Sequence, residues 1–270
     1  MPAIELARLR FQTAELCDAF SSPERFTYKF HEILGLYNNW ALRQGLTAPP
    51  KTLMRHYNVP RQVIKQIEAD IQPFIVEAPA QALNLVDHLW KDDFLEAREI
   101  ASYILGQLPL DAPDKITRRI QEWAQPNLDK AALECLFNQG TRRLLIEQPE
   151  IWEQIVRTFL AHDEPAVQNL GLKALVSVIE NPDYTRIPSL FRLLAPFIQS
   201  SHELLQANLS EAIAALVRRT PIETAFFLKQ TLITTPGVEI EQLMHHFLPF
   251  FNTEIQLALK EAIKKHEAKL

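Results

Sequence analysis

Glycine is scarce in this sequence, with 6 residues in 270, whereas proline occurs 18 times. β-Sandwiches need glycine-rich turns and phosphate-binding loops need clustered glycines, so this composition argues against both classes. Proline ends a helix when it lies inside it, yet it fits well at the first helical position. The composition therefore predicts many short helices with proline at their boundaries.

Cysteine and clustered metal ligands are also lacking. The two cysteines, Cys17 and Cys135, lie far apart, which argues against a disulfide framework and predicts two buried thiols. His245 and His246 are adjacent and would point about 100° apart on a helix, and Glu241 adds only one further ligand. The sequence contains no G-x-S-x-G motif for a serine nucleophile. We expect no metal and no cofactor.

Long hydrophobic runs and an excess of positive charge are missing as well. No run reaches the roughly 18 apolar residues of a membrane span, and MPAIELARLR at the N-terminus mixes acids and bases, which predicts a cytoplasmic protein without a membrane partner. The formal net charge is −5. This balance excludes a protein that is basic throughout, as many duplex-DNA binders are, so any nucleic-acid surface must be local.

What the sequence does contain is helical periodicity along most of its length. In residues 97–108, 167–179 and 205–217, apolar side chains three and four positions apart fall on one helical face. The period-2 alternation that is typical of strands is missing. The fold class is therefore predicted to be all-α.

The predicted helices pair into hairpins that begin about every 37 residues. This length fits HEAT-like hairpins, which must stack on their neighbours to bury their apolar faces. We therefore predict a single α-solenoid domain over residues 1–270, an ARM/HEAT-like superhelix. Its predicted parts are capping helices in 1–46, repeats in 47–235 that open with a proline-broken connection at 47–59, and C-terminal helices in 236–270. The hairpin helices are predicted at 113–125 with 128–146, 150–161 with 164–180, 187–199 with 201–219, and 221–233 with 238–250.

Paired arginines are the first candidate functional residues. Arginine at the end of a helix complements the helix dipole, and this explanation needs no ligand. In a solenoid, however, equivalent positions of successive repeats line one face, and arginines there could follow a phosphate backbone. Both interpretations stay open for the pairs Arg118–Arg119, Arg142–Arg143 and Arg218–Arg219. Two roles, packing in the core and stacking on a base, likewise stay open for four tryptophans, Trp40, Trp90, Trp123 and Trp152.

Three segments together resemble one family. They are HYNVPRQVIKQIEADI (56–71), LVDHLWKDDFLEAREIASYIL (85–105) and ELLQANLSEAIAALVRRTPIETAFFL (203–228). In this order and spacing they resemble the HEAT-like DNA-alkylation-repair family, the AlkD-type DNA glycosylases, over roughly residues 47–235. The resemblance implies a helix–helix corner in which Trp90 ends one helix and Asp92 or Asp93 caps the next. Glu96 and Arg98 would hold the turn.

The sequence departs from the family's pattern at its pocket. Active members carry paired tryptophans and two acids where this sequence reads QPNLDKAALECL (125–136). Asn127 and Leu128 stand in place of the tryptophans, Asp129 matches the first acid, and Ala132 stands at the critical acid. A later tryptophan–arginine element is replaced by residues 167–170, which read VQNL. In the late helix, the family's aromatic residue and arginine fall on Glu211 and Ala214.

The resemblance and these departures lead to three hypotheses. The first is a DNA-binding member of the family that contacts phosphates through the arginine pairs and has little or no base excision. The second is a protein-interaction scaffold with no nucleic-acid role. The third is an active N-glycosylase for alkylated bases with a rearranged site, in which Asp129 is catalytic. Trp123 and Glu211 are the candidate base or pocket contacts.

Overall fold

The protein is an all-α molecule, as the sequence predicts. The computed structural model describes residues 5–38, 52–199, 202–235 and 238–267, which form fifteen α-helices and no strand. Contacts within the chain divide it into two compact units, Met1–Trp152 and Glu153–Leu270. Within the described residues, no helix is both long enough and apolar enough to cross a membrane.

The first unit is built around one central helix. Helix α5 (Leu95–Gln107) packs against α3, α4, α7 and α8, while α1 and α2 pack on α3 and α4. Its core consists of aliphatic and phenylalanine side chains that recur at helical spacing, such as Ile64, Ile67, Ile71 and Ile75 on α3. The other helices of this unit are α1 (Leu6–Cys17), α2 (Pro23–Tyr37), α3 (Arg61–Glu77), α4 (Pro79–Leu89), α6 (Pro113–Trp123), α7 (Lys130–Cys135) and α8 (Arg142–Glu147).

One predicted helix of the first unit is interrupted. The sequence predicts a continuous helix over 128–146, but a π-helical turn at 136–140 separates α7 from α8. The turn brings its backbone against α5, where a β-carbon added to Gly106 would lie 1.8 Å from the Gln139 carbonyl oxygen. The Thr141 hydroxyl donates a hydrogen bond of 2.6 Å to the Phe137 carbonyl oxygen at the end of the turn.

The second unit consists of helical hairpins that follow the predicted pattern closely. Helix α9 (Pro149–Leu160) spans the point where the two units divide. It is followed by α10 (Pro165–Glu180), α11 (Ile187–Gln199), α12 (Gln206–Arg219), α13 (Pro221–Thr234), α14 (Val238–Phe247) and α15 (Thr253–Glu267). Helix α10 packs on α12, and α13 packs on α12, α14 and α15. Short 3-10 turns at 203–205 and 248–250 replace parts of the predicted helices.

Proline has the role that its abundance suggests. Within the part of the chain that the structure describes, it occupies the first position of six α-helices, at Pro23, Pro79, Pro113, Pro149, Pro165 and Pro221. There its missing N–H costs no hydrogen bond, and its fixed φ suits the helical conformation. The two cysteines are both free, and burial, the largest effect on each, raises the pKa of each thiol to about 11.

Candidate nucleic-acid interface

The corner between α4 and α5 forms largely as predicted. Trp90 follows the last residue of α4, and the carboxylate of Asp92 accepts a hydrogen bond of 2.8 Å from the Phe94 N–H just before α5. Arg98 donates from Nε to the Asp92 carbonyl oxygen at 3.3 Å. Asp92 and Arg98 therefore hold the turn, but the predicted capping role is wrong: the N-cap of α5 is Phe94, and no side chain of the described residues caps this helix.

Glu96 has a different role from the predicted one. Its Oε1 accepts hydrogen bonds from the N–H groups of Tyr57 and Asn58, at 2.7 and 3.1 Å. Asn58 has a φ of 55°, a left-handed conformation that asparagine tolerates better than most residues. The prediction has Glu96 hold the turn of the corner itself. Glu96 instead holds the segment before α3 against the corner. Sequence reasoning missed this role because the two partners lie almost forty residues upstream.

Aromatic rings and arginines stack at this corner. The rings of Trp90 and Trp123 are parallel, with centroids 4.5 Å apart and an interplanar angle of 9°. The guanidinium carbon of Arg98 lies 5.3 Å from the centre of the Trp90 ring. Burial lowers the pKa of Arg98, and the nearby carboxylates of Asp129, Asp93 and Asp92 act in the opposite direction. Trp123, a predicted base contact, is half-buried and is already stacked on Trp90.

A second stack lies on the segment before α3. Arg55 is exposed and its guanidinium carbon lies 4.6 Å from the centre of the Phe94 ring, which in turn stacks on Tyr57 at 4.5 Å. The Arg55 carbonyl oxygen also accepts a hydrogen bond of 2.9 Å from the Leu95 N–H. Cation–π contacts of this kind restrain an arginine while its charge remains accessible.

Asp129, the predicted catalytic acid, is the N-cap of α7. Its Oδ1 accepts hydrogen bonds from the N–H groups of Ala131 and Ala132, at 2.9 and 3.4 Å. Its Oδ2 accepts a hydrogen bond of 2.8 Å from the Leu53 N–H, and the Thr52 side chain donates to the same carboxylate. Burial alone would raise the pKa of Asp129, but these four hydrogen bonds together lower it below its usual value.

The other pocket positions lie in different surroundings. Ala132, which stands at the family's critical acid, is fully buried in α7, while Asn127 is exposed. Glu211, a predicted pocket contact, is exposed on α12 in the second unit. Asn169 ties α10 to the 3-10 turn that precedes α12, since its side-chain amide donates to the Leu204 carbonyl oxygen at 3.0 Å. The structure brings Asp129 and Trp123 to the same unit and leaves Glu211 in the other.

The two remaining tryptophans are Trp152 and Trp40. Trp152 is 1% exposed and makes an edge-to-face contact with Phe137, with ring centroids 5.9 Å apart. It is therefore a core residue. Trp40 lies outside the residues that the structure describes.

The two members of each arginine pair have different surroundings. In the first pair, the Arg118 side chain is 78% exposed and pairs with Glu122 one turn away, at 2.7 Å. The Arg119 side chain is 18% exposed and makes a two-pronged ion pair with Asp87, at 2.7 and 2.5 Å. Such a bidentate pair between α6 and α4 is part of the scaffold.

The same division holds in the other two pairs. Arg142 is exposed at the start of α8, whereas Arg143 donates to the Gln107 carbonyl oxygen at 3.3 Å and pairs with Glu147. Arg218 is exposed and pairs with Glu180 at 2.7 Å.

Arg219 donates hydrogen bonds to several backbone carbonyl groups. It donates to the last carbonyl oxygens of α10 and to the loop that follows. The acceptors are the carbonyl oxygens of Val178, Ile179, Asn181, Pro182 and Tyr184.

Clustered metal ligands do not occur among the described residues: no group of three or more histidine, cysteine, aspartate or glutamate side chains could hold a metal ion there. His245 and Glu241, the pair noted in the sequence, instead contact residues of α15. His245 lies 3.9 Å from Glu267, and Glu241 accepts a hydrogen bond of 2.7 Å from His266. These histidines therefore join the two C-terminal helices.

Comparison with known proteins finds one matching family model. A family model described as DNA alkylation repair enzyme matches residues 39–266, which extends the resemblance at both of its ends. No curated protein and no solved structure shows significant similarity to the chain. Since the match covers most of the sequence and both helical units, the chain belongs to the DNA alkylation repair enzyme family.

Proposed function

We propose that this protein binds duplex or damaged DNA through local arginine contacts and has little or no base-excision activity. Family membership links the chain to DNA repair. The observation that carries the binding proposal is the division within the arginine pairs. Arg118, Arg142 and Arg218 present exposed guanidinium groups, while the neighbouring arginine of each pair anchors the helix to the protein. An arginine on a rigid element is well suited to contact a phosphate.

The environment of Asp129 supports the absence of excision. A carboxylate that stabilises positive charge on a sugar needs a free face toward the substrate. An ionised carboxylate has about four acceptor positions, and three backbone N–H groups already donate to that of Asp129, with the Thr52 hydroxyl beside it. Its neighbour Ala132 has no acidic group and is buried. Asp129 therefore has the contacts of a structural residue.

The binding proposal is tested by the salt dependence of affinity. Labelled duplexes, one undamaged and one with a cationic abasic-site mimic, are titrated at several salt concentrations with wild-type protein and with Arg118→Ala, Arg142→Ala and Arg218→Ala. Each variant that loses a phosphate contact is expected to bind more weakly and to reduce the slope of log K against log salt by about 1.

Matched controls separate phosphate contact from a general change in charge. Lys65→Ala on α3 and Lys260→Ala on α15 each remove one exposed positive charge, and we expect their salt slopes to equal that of the wild type. If they lower the slope as much as the arginine variants do, the arginines have no special role. If the wild type fails to bind either duplex at low salt, the DNA-binding proposal is wrong.

A separate assay tests for excision. Alkylated duplex DNA is incubated with wild-type protein, and the release of free bases is compared with the rate without protein. We expect no release above that background. Release that is lost in Asp129→Asn and Trp123→Ala would establish instead a glycosylase with a rearranged site.

One observation favours a second candidate function, a protein-interaction scaffold. Ile222, Phe226 and Ile233 are exposed on α13 and fall within about 40° of one another around the helix. The opposite side of α13 is buried, so this helix carries apolar residues on both sides. If the DNA titrations fail, a Phe226→Asp variant that loses partners retained by the wild type would support the scaffold.

A further inference from the structure

Leu53 combines an exposed apolar side chain with a fixed backbone. It is 92% exposed, the highest value among the exposed large hydrophobic residues of the described chain. Single exposed hydrophobic side chains are ordinary in soluble proteins, so exposure alone carries no conclusion. The unusual feature is the anchoring of the backbone around it.

Three contacts hold that backbone in place. The Leu53 N–H donates to Asp129 at 2.8 Å, and the Met54 N–H donates to the Thr52 hydroxyl at 3.0 Å. Thr52 is buried and donates in turn to Asp129. One residue further on, the Arg55 carbonyl oxygen accepts from Leu95 at 2.9 Å. The Asp129 carboxylate thus fixes the backbone of a leucine whose side chain faces water.

The surroundings of Leu53 favour nucleic acid over protein as its partner. Arg55 and His56, close to it in sequence, are both exposed. Asp129 interacts with Arg98, which lies over the Trp90 ring in the stack with Trp123. Protein hot spots lie in contiguous apolar patches, whereas proteins that bend DNA combine one apolar wedge with flanking cations. The exposed Arg55 and the exposed leucine of this segment match the second arrangement.

We infer that Leu53 is an apolar wedge that enters a base step of duplex DNA, and that Asp129 is the residue that positions it. The inference rests on the proposed DNA binding and adds the mode of contact. Insertion of the side chain partly unstacks the neighbouring bases, and burial of the leucine between them offsets that cost. No covalent step is involved.

Asp129 has two structural roles, as the N-cap of α7 and as the acceptor for the Leu53 N–H, and one substitution separates them. Asparagine is as good an N-cap as aspartate, so Asp129→Asn retains an acceptor for Ala131 and Ala132. Its second side-chain atom becomes an NH2 group, which cannot accept the Leu53 N–H. The variant is therefore expected to keep α7 and to release the wedge.

The experiment uses short duplexes with 2-aminopurine, whose fluorescence rises on unstacking, at successive central positions. The full-length wild-type protein is expected to raise the fluorescence at saturation. Leu53→Ala is expected to abolish most of that rise and to weaken binding about 3- to 10-fold. Asp129→Asn is expected to resemble Leu53→Ala in fluorescence while keeping the helical circular-dichroism spectrum of the wild type. Leu53→Met, which keeps an apolar wedge of similar size, should restore the rise.

The controls distinguish this inference from the proposed function. Val76→Ala removes another exposed apolar side chain of the same unit and should leave fluorescence and affinity unchanged. If the wild type binds the duplex without a rise in fluorescence, or if Leu53→Ala gives the same rise, the wedge is wrong and DNA binding stands. If the wild type does not bind at all, the proposed function itself fails.

Discussion

At the scale of single residues, Gly106 shows how one side chain can be excluded by a neighbouring backbone. A β-carbon at this position of α5 would lie 1.8 Å from the Gln139 carbonyl oxygen and 2.9 Å from its carbonyl carbon. A backbone group in a packed turn cannot move away as a flexible side chain can. The absence of a side chain at Gly106 is therefore a condition for the contact between α5 and the π-helical turn.

We predict that Gly106→Ala lowers the free energy of unfolding by at least about 2 kcal/mol, because overpacking against a fixed neighbour is costly. Urea unfolding followed by circular dichroism measures the change. Gly35→Ala in α2 is the matched control, since nothing lies within 4 Å of its added β-carbon. Alanine is the better helix former, so this control should be stabilised by about 0.5–1 kcal/mol. Equal effects of the two substitutions would contradict the packing argument.

The pKa of Asp129 leads to a second prediction for a single residue. Its hydrogen bonds lower the folded-state pKa below the unfolded value of about 3.9. The ionised carboxylate therefore contributes stability above that unfolded value, and the contribution is lost as the pH falls through the folded pKa. We expect the wild type to lose more stability than Asp129→Asn between about pH 6 and about pH 3. Urea unfolding at both pH values measures this difference, and parallel losses would show that the carboxylate is not held ionised by its partners.

At the scale of secondary-structure elements, Arg219 determines how α10 ends. The last carbonyl groups of a helix have no partner within it, and here one guanidinium from α12 satisfies several of them together with the following loop. Lysine could not replace it, because an ammonium group lacks the planar fork that reaches several carbonyl groups at once. The hairpin of α10 and α11 thus depends on a side chain about 40 residues further along the chain.

We predict that Arg219→Ala lowers the free energy of unfolding by about 2–3 kcal/mol, because several partly buried carbonyl groups lose a charged donor. Arg219→Lys should recover only part of this loss. Arg218→Ala is the control next to it, and its exposed pair with Glu180 should contribute less than about 1 kcal/mol. Thermal and urea unfolding measure all three, and a larger loss for Arg218→Ala would reverse the assignment of the two arginines.

Elements defined by local patterns could be predicted from the sequence, and elements defined by distant contacts could not. Apolar spacing and initial prolines fix most helices to within a few residues, as α11 at Ile187–Gln199 shows. The π-helical turn at 136–140 was not predictable, because its cause is the approach of α5 at Gly106. The resemblance identified Asp129 as an acid of interest, but its partner Leu53 lies 76 residues away in a segment that reads as a simple connection.

At the scale of the whole molecule, the net charge does not describe the charge of each local surface. The net charge is −5, yet each compact unit carries at least one exposed arginine of the pairs, Arg118 and Arg142 in the first and Arg218 in the second. Composition alone excluded a protein that is basic throughout but could not locate these groups. Which arginine of a pair faces solvent depends on tertiary partners such as Asp87 and the end of α10.

The division within the arginine pairs also has an evolutionary consequence. Arg119, Arg143 and Arg219 hold helices in place, so selection for folding alone retains them. Arg118, Arg142 and Arg218 contribute little to the scaffold, and they can drift freely in any lineage that no longer contacts an anionic partner. In close relatives, a comparison of substitution rates between the anchoring arginines and the exposed arginines would therefore indicate whether selection maintains contact with DNA.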